Sequence, residues 1–312
     1  VEAATAPAPP ARRRKSLPAR AWAWLRYHAV SIWAALAIAY LLVPIALIAV
    51  FSFNDPEGKF NYTWNGFTFD HWSNIFGIPD LTDALITSLK LAALSTLVST
   101  ILGTMIALAL VRHHFVGRRA ANFLIVIPMA TPEVVIGASL LSMFLIYGAS
   151  LGFGTLLIAH VMFSISFVVI VVRSRLIGFD RRLEEAARDL GASPLTTFRT
   201  ITLPLLMPGL VGAALLAFAL SIDDFVISNF NSGTTVTFPL WVFGAAQRGI
   251  PVEVYSIATM LFAVTVLAMV FVTWQQRRAE QLAAVRQDDE ADTGFAALAS
   301  GQEPASRAGA TS

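Results

Sequence analysis

An all-α integral membrane protein with six transmembrane helices and both termini cytoplasmic is the fold class this sequence predicts, and three observations predict it. Hydrophobic residues make up 56% of its 312 residues and charged residues only 13%. Six apolar runs, near residues 31–53, 84–111, 121–147, 154–176, 207–230 and 253–274, each reach the roughly 20 residues that cross a hydrocarbon core about 30 Å thick. None has the two-residue alternation of a barrel strand, and backbone groups in lipid have to be satisfied within their own segment, so the runs are read as helices. The net charge of +2 conceals an uneven distribution, because lysine and arginine gather in every second connection.

Taken in order, residues 1–28 are expected to be a disordered basic cytoplasmic tail. Residues 1–11 are rich in alanine and proline and offer no packing face, and Arg12, Arg13, Arg14, Lys15, Arg20 and Arg26 precede the first span. The run at 31–53 is longer than a signal-peptide core and has no small-residue cleavage site after it, so it is expected to stay as a helix. Residues 29–278 are expected to form the six-helix transmembrane body. The loop at 54–83 carries Asp55, Glu57, Asp70, Asp80 and Asp83 against Lys59 alone. The next connection is basic, with Arg112, Arg118 and Arg119 beside His113 and His114; residues 148–152 carry no charge. Arg173, Arg175, Arg181, Arg182, Arg188 and Arg199 crowd the long fourth connection, whereas residues 231–251 hold only Arg248. By the positive-inside rule the basic connections and both termini lie in the cytoplasm. From residue 279 to 312 a second disordered cytoplasmic tail is expected.

Within the long connection, at 181–206, the sequence spells helix, break, helix. Residues 184–190 are rich in helix formers, Gly191 suits a C-terminal cap with positive φ, and Ser193-Pro194 has the form of an N-cap followed by a first-turn proline. Two short, rigid, exposed helices at an angle are predicted. The spacing Glu185-Ala186-Ala187, three residues, Gly191, nine residues, Ile201, one residue, Leu203-Pro204 resembles the E-A-A loop of the MetI-like permeases of binding-protein-dependent ABC importers. The resemblance implies that this loop docks on a separate ATPase subunit. The docking residues would be Glu184, Glu185, Ala186, Ala187, Arg188, Asp189, Gly191, Ala192, Pro194, Ile201, Leu203 and Pro204. Ala186 and Ala187 would allow close approach. Glu185 either pairs with an arginine of the ATPase or offsets the helix dipole.

The chain carries no chemistry of its own that can be assembled without arbitrary pairing. No G-x-x-x-x-G-K-[ST] stretch is present to hold a nucleotide, so catalytic residues are expected to be none. With no cysteine, disulfides, cysteine zinc ligands and thiolate catalysis are excluded. His113 and His114 are adjacent, and adjacent helical positions do not face each other, so no metal site is expected. No cofactor is expected on this chain, and ATP with Mg would sit on the partner ATPase. Nothing implies a nucleic-acid partner.

Four ionisable residues fall inside the runs: Lys90, Glu133, Asp223 and Asp224. A charge at mid-helix costs on the order of 2.5 to 3.5 kcal/mol, so such residues face a bundle interior or a water-filled path. One reading pairs Lys90 with a carboxylate and makes Thr131-Pro132-Glu133 the N-cap, proline and acid that restart a broken helix. The other notes that three carboxylates against one lysine leave a surplus that favours a cationic solute, with Glu133, Asp223 and Asp224 on the substrate path. On a continuous helix Asp223 and Asp224 stand about 100° apart, so one would line the path and the other meet a neighbouring helix.

A finer resemblance lies in Ala159-His160, the run from Ser164 to Phe167, Pro128 with Pro132-Glu133-Val134, the run from Ser221 to Ser228, and Phe238-Pro239-Leu240. These are similar to the second permease subunit of the spermidine/putrescine branch, over residues 30–275. The resemblance implies import of polyamines by a heterodimer with a sister permease, an ABC ATPase dimer and an extracytoplasmic solute-binding protein, all set in membrane lipid. Permeases for ferric iron and thiamine share similar stretches, so another solute stands as an alternative. A free-standing ion-coupled secondary transporter would also explain the spans and their carboxylates, though not the 184–204 stretch.

Overall fold

The computed structural model describes residues 17–58 and 60–299, and side chains within 28–58, 60–275 and 277–278. Residues 1–16, Lys59 and residues 300–312, which carry parts of the expected tails and outer loop, lie outside the described residues. The chain divides into two units, residues up to 54 with those from 255 onward, and residues 55–254.

The first unit is built of two long helices. Helix α1, Leu17–Phe51, contains Pro44 and carries an almost wholly exposed apolar surface that includes Trp33, Tyr40 and Leu41. Such a surface is tolerable only against lipid or a partner chain. The last helix, α12, is Val252–Ala299, and most of it belongs to this unit. Trp274 packs its ring under the Arg278 guanidinium at 3.8 Å, an aromatic–cation pair of the kind found where an apolar helix leaves the membrane. The helix runs past residue 279, where an unstructured tail is predicted. Residues 279–293 explain this, with Ala, Glu and Gln at eight of fifteen positions and neither proline nor glycine.

The second unit holds the remaining helices: α2 Asp70–Ser73, α3 Pro79–Arg112, α4 Arg118–Ala130, α5 Glu133–Ile146 and α6 Phe153–Ile177. After them come α7 Arg182–Asp189, α8 Pro194–Thr197, α9 Leu203–Ile222, α10 Val226–Asn231 and α11 Phe238–Ala246. Helix α3 begins on Pro79 with Asp80 in its first turn, and ends where His113 turns extended. Its central partners are α6 and α9. Ala107, Leu110, Val168, Val169, Val172, Leu176, Leu206, Ala213 and Ala217 form their common core. Lipid supplies no hydrophobic drive for helices to associate, so the small residues here matter for close van der Waals approach. Serines and threonines do the rest: Ser88, Ser95, Ser99 and Thr104 of α3 are all buried. A second core joins α5, α6 and α10 through Ile136, Leu140, Phe144, Ala159, Phe163 and Ile227. At Gly137 any Cβ would come within 2.8 Å of the Phe230 ring, so only glycine lets α10 lie on α5.

Among the described residues, five helices are long and apolar enough to cross a membrane, and six if one bent pair counts as a single span. That pair is α4 and α5, which meet at 111° instead of forming the straight span expected at 121–147. Pro132 has no N–H for the α4 ladder and disfavours helical geometry at Thr131, which is extended (φ −88°, ψ 135°). Thr131 is not the N-cap the sequence suggests. Its hydroxyl donates back to the Ile127 carbonyl at 2.7 Å, and Pro132 takes the cap position with Glu133 first in α5. The fifth run also breaks, with α9 ending at Ile222 and α10 starting at Val226.

Candidate functional site

Two regions bring the singled-out residues together. The first is the connection after α6. The Asp180 carboxylate accepts the Arg182 N–H at 3.0 Å and opens α7; Gly191, at φ +84°, closes it, with its N–H donating to the Arg188 carbonyl at 2.9 Å. Ser193 then accepts the Thr196 N–H at 3.2 Å, and Pro194 takes the first turn. The predicted second short helix does not stand free. Helix α8 passes through a π-helical turn, Phe198–Thr202, into α9, giving one rod over Pro194–Ile222.

Glu184 differs from its neighbours. It is 4% exposed, and its Oε1 accepts from the Arg112 guanidinium and from the Thr202 hydroxyl. A buried carboxylate needs such partners, and here they tie α7 to the end of α3 and to the π-helical turn. Glu185, Ala186, Arg188, Asp189, Gly191, Pro194 and Pro204 are exposed, while Ala187, Ala192, Ile201 and Leu203 are half-buried. Leu190, beside Gly191, is 90% exposed. Glu184 therefore faces the body, and the exposed residues of the stretch form an outer surface.

The second region is the break between α9 and α10. Asp223 and Asp224 do not share a helix, because Asp223 is the C-cap of α9 and Asp224 stands just ahead of α10. Asp224, 9% exposed, accepts the Ile227 N–H at 3.2 Å on Oδ1, and the Ser228 N–H and hydroxyl at 2.8 and 2.9 Å on Oδ2. It is thus the side-chain cap of α10. His160 of α6, 2% exposed, stands between the two helices. Its Nδ1 lies 2.8 Å from the Ser221 hydroxyl, and its Nε2 lies 3.1 Å from the Ser228 hydroxyl and 3.4 Å from Asp224 Oδ2. Ser95 of α3 donates to Ser221 at 3.0 Å.

One arrangement of protons satisfies this whole chain. Ser95 donates to Ser221, Ser221 to His160 Nδ1, His160 Nε2–H to Ser228, and Ser228 to Asp224. The imidazole is then neutral and every bond runs toward the carboxylate. Asn231 adds a lock, its amide donating to the Gly137 and Ile227 carbonyls at 3.2 and 2.9 Å.

Asp223 and Glu133 are both exposed, and Glu133 is near enough to Asp223 and Asp224 for the three carboxylates to repel one another. Lys90 is exposed and, among the described residues, makes no ion pair, so the expected lysine–carboxylate pairing is absent. Sequence reasoning missed the bridging roles of His160, Ser95, Ser221 and Ser228. Their signal is the presence of hydrogen-bonding side chains at matching depth in three apolar runs. Among the described residues no cluster of three metal-binding side chains occurs.

A helical body of membrane-crossing length, with an intramembrane carboxylate cluster and a rigid loop at one end, defines a multi-pass membrane transport protein. Residues 99–281 match the family described as the binding-protein-dependent transport system inner membrane component. The chain is 39% identical to the spermidine/putrescine transport system permease protein PotC of Haemophilus influenzae over 233 residues, 74% of this chain and 90% of that protein. It is 36% identical to the putrescine transport system permease protein PotI of Escherichia coli K12 over 248 residues, covering 77% and 87%. Among solved structures, a bacterial ABC transporter that imports alginate aligns with a TM-score of 0.57 at 18% identity, covering 85% of this chain and 99% of that one. The inward-facing MetNI methionine ABC transporter aligns with a TM-score of 0.51 at 19% identity, covering 64% and 95%. The chain belongs to the binding-protein-dependent transport system inner membrane component family, the permease subunits of ABC importers. It is a membrane permease, and ATP hydrolysis belongs to a separate subunit.

Proposed function

We propose that this permease carries a polyamine, putrescine or spermidine, into the cytoplasm. The observation that carries the reading is the 39% identity to PotC across nine-tenths of that protein. Geometry supports it. Asp224 is occupied in capping α10, whereas Glu133 and Asp223 are left exposed, with no lysine paired to them among the described residues. Two carboxylates of this kind suit an ammonium group on the substrate path, and neutral or anionic solutes would gain nothing from them. Both termini and the 181–206 loop lie on the cytoplasmic side in this reading, following the arginine bias. A sister permease, an ATPase dimer holding ATP and Mg, and an extracytoplasmic binding protein complete the assembly. The exposed face of α7 and the Gly191 turn dock on the ATPase, with Glu185 and the small Ala186 at the contact.

The test is uptake of labelled putrescine into vesicles that hold the full assembly, with spermidine, ferric iron and thiamine as competitors. Competition by spermidine alone supports the reading; competition by iron or thiamine replaces the solute. ATP-independent flux through the purified chain alone would instead favour a secondary transporter.

A further inference from the structure

Four arginines close on one cavity of about 320 Å³ at the end of the bundle that carries α7. Arg112 comes from the last turn of α3, Arg118 from the first turn of α4, Arg173 and Leu176 from the end of α6, and Phe179 and Arg181 from the link to α7. Arg112, Arg118 and Arg173 are half-buried. Among the described residues only Arg112 has an acidic partner, Glu184. Arg173 donates to the neutral Asn122 amide oxygen at 2.7 Å, and Arg118 lies 3.0 Å from His114 Nδ1. Asp180 is engaged with the N–H of Arg182, and among the described residues neither it, Glu185 nor Asp189 pairs with these arginines. Three arginines, two of them half-buried, therefore line one cavity with no carboxylate paired to them among the described residues. Their mutual repulsion grows as the local dielectric falls, and a bound anion would relieve it.

We infer that this cavity is a binding site for a phosphate group, met in the membrane as the headgroup of an anionic phospholipid. Guanidinium forks at Arg118 and Arg173, each held by one side-chain contact, match the paired oxygens of a phosphate. The site lies where α3 and α6 end and α4 begins, which is headgroup level whichever face of the bilayer this is. Its apolar wall, Leu176 and Phe179, suits the stem of a lipid better than a fully hydrated ion. The site does not depend on which solute is carried.

Native mass spectrometry of the delipidated complete importer tests this, with phosphatidylglycerol, phosphatidylethanolamine, glycerol phosphate and inorganic phosphate as probes. Phosphatidylglycerol is expected to be retained in preference to phosphatidylethanolamine. The Arg118→Gln/Arg173→Gln pair should weaken that retention by about tenfold or more, through loss of two charge-assisted forks. Arg199→Gln, outside the cavity, should leave it unchanged. If the double glutamine variant fails to assemble, Arg118→Lys/Arg173→Lys keeps the charge without the fork and should still weaken retention. Displacement by glycerol phosphate or inorganic phosphate at the same concentration as the lipid would assign the site to free phosphate and overturn the lipid source. Equal retention of both lipids, or equal loss in Arg199→Gln, would overturn the site altogether. Because binding is read without transport, a change of solute leaves the result unaffected.

Discussion

Glu184 and Asp224 are both buried carboxylates near the start of a short helix, yet the protein holds them in opposite ways. Glu184, at the loop end of the bundle, meets a guanidinium and a hydroxyl. Asp224, in the middle of an apolar run, meets two backbone N–H groups, a serine and a neutral histidine. At the loop the charge is cancelled by a cation from another helix, which makes a strong clamp and leaves no net field. In mid-span the carboxylate is met by dipoles and not by an arginine or lysine among the described residues, so no such cation offsets Glu133 and Asp223 there. The same chemical group serves as a fastener in one place and as a source of field in the other.

The largest expected effect comes from breaking the clamp. Glu184→Ala strands Arg112 and should destabilise the chain by about 3 kcal/mol or more, as for a buried pair that has lost one member. Thermal unfolding in detergent reads this, and Arg112→Met added to Glu184→Leu should restore part of the loss; an additive double mutant would show that the two residues act separately. Next is the histidine link. His160→Leu takes from Ser221 its acceptor and from Ser228 its donor, while Ser95 and Asp224 stay in place, and should cost about 1 to 3 kcal/mol, with His160→Gln recovering part of it. Equal stability of the two variants would contradict the hydrogen-bond chain. Asp224→Ala removes a cap and should cost about 1 to 2 kcal/mol, while the exposed Asp223→Asn should change stability by less than about 0.5 kcal/mol. Uptake sharpens that contrast, because Asp223→Asn is expected to raise the KM for putrescine in spite of its unchanged stability. The smallest structural effect belongs to Glu185→Lys on the exposed face of α7. Its unfolding should match the unmodified chain while ATPase activity of the assembled importer no longer follows transport, and retained coupling would count against docking there.

Much of this architecture is legible in the sequence because lipid leaves the backbone so few choices. Runs of apolar residues predict where helices cross, and Gly191 and Ser193-Pro194 predict the turn after α7 from local stereochemistry alone. Direction is less accessible: Pro132 announces an interruption, but 111° between α4 and α5 depends on where Gly137 lets Phe230 and α10 settle. The break at 223–225 has no proline or glycine to mark it. The side chains that bridge it, His160 and Ser95, lie 61 and 126 positions before Ser221. Glu184 is hidden for a similar reason, since its guanidinium partner is 72 residues upstream. Pairings that far apart leave no local pattern to read. The helix through residues 279–299 is a different case: its helix formers are plain in the sequence, but low hydrophobicity there suggests a tail without structure.

Leu183, Leu190 and Leu195 stand bare on the outer surface of the loop, with Leu190 almost wholly so. Each is a poor residue to show to water, and three together are a liability to a subunit produced in excess of its partners. Such an orphan would be sticky and open to proteolysis at that spot, whereas the docking proposed for this loop would cover the leucines in an assembled copy. The loop would then also regulate supply, with its own surface limiting how long an unpartnered subunit lasts.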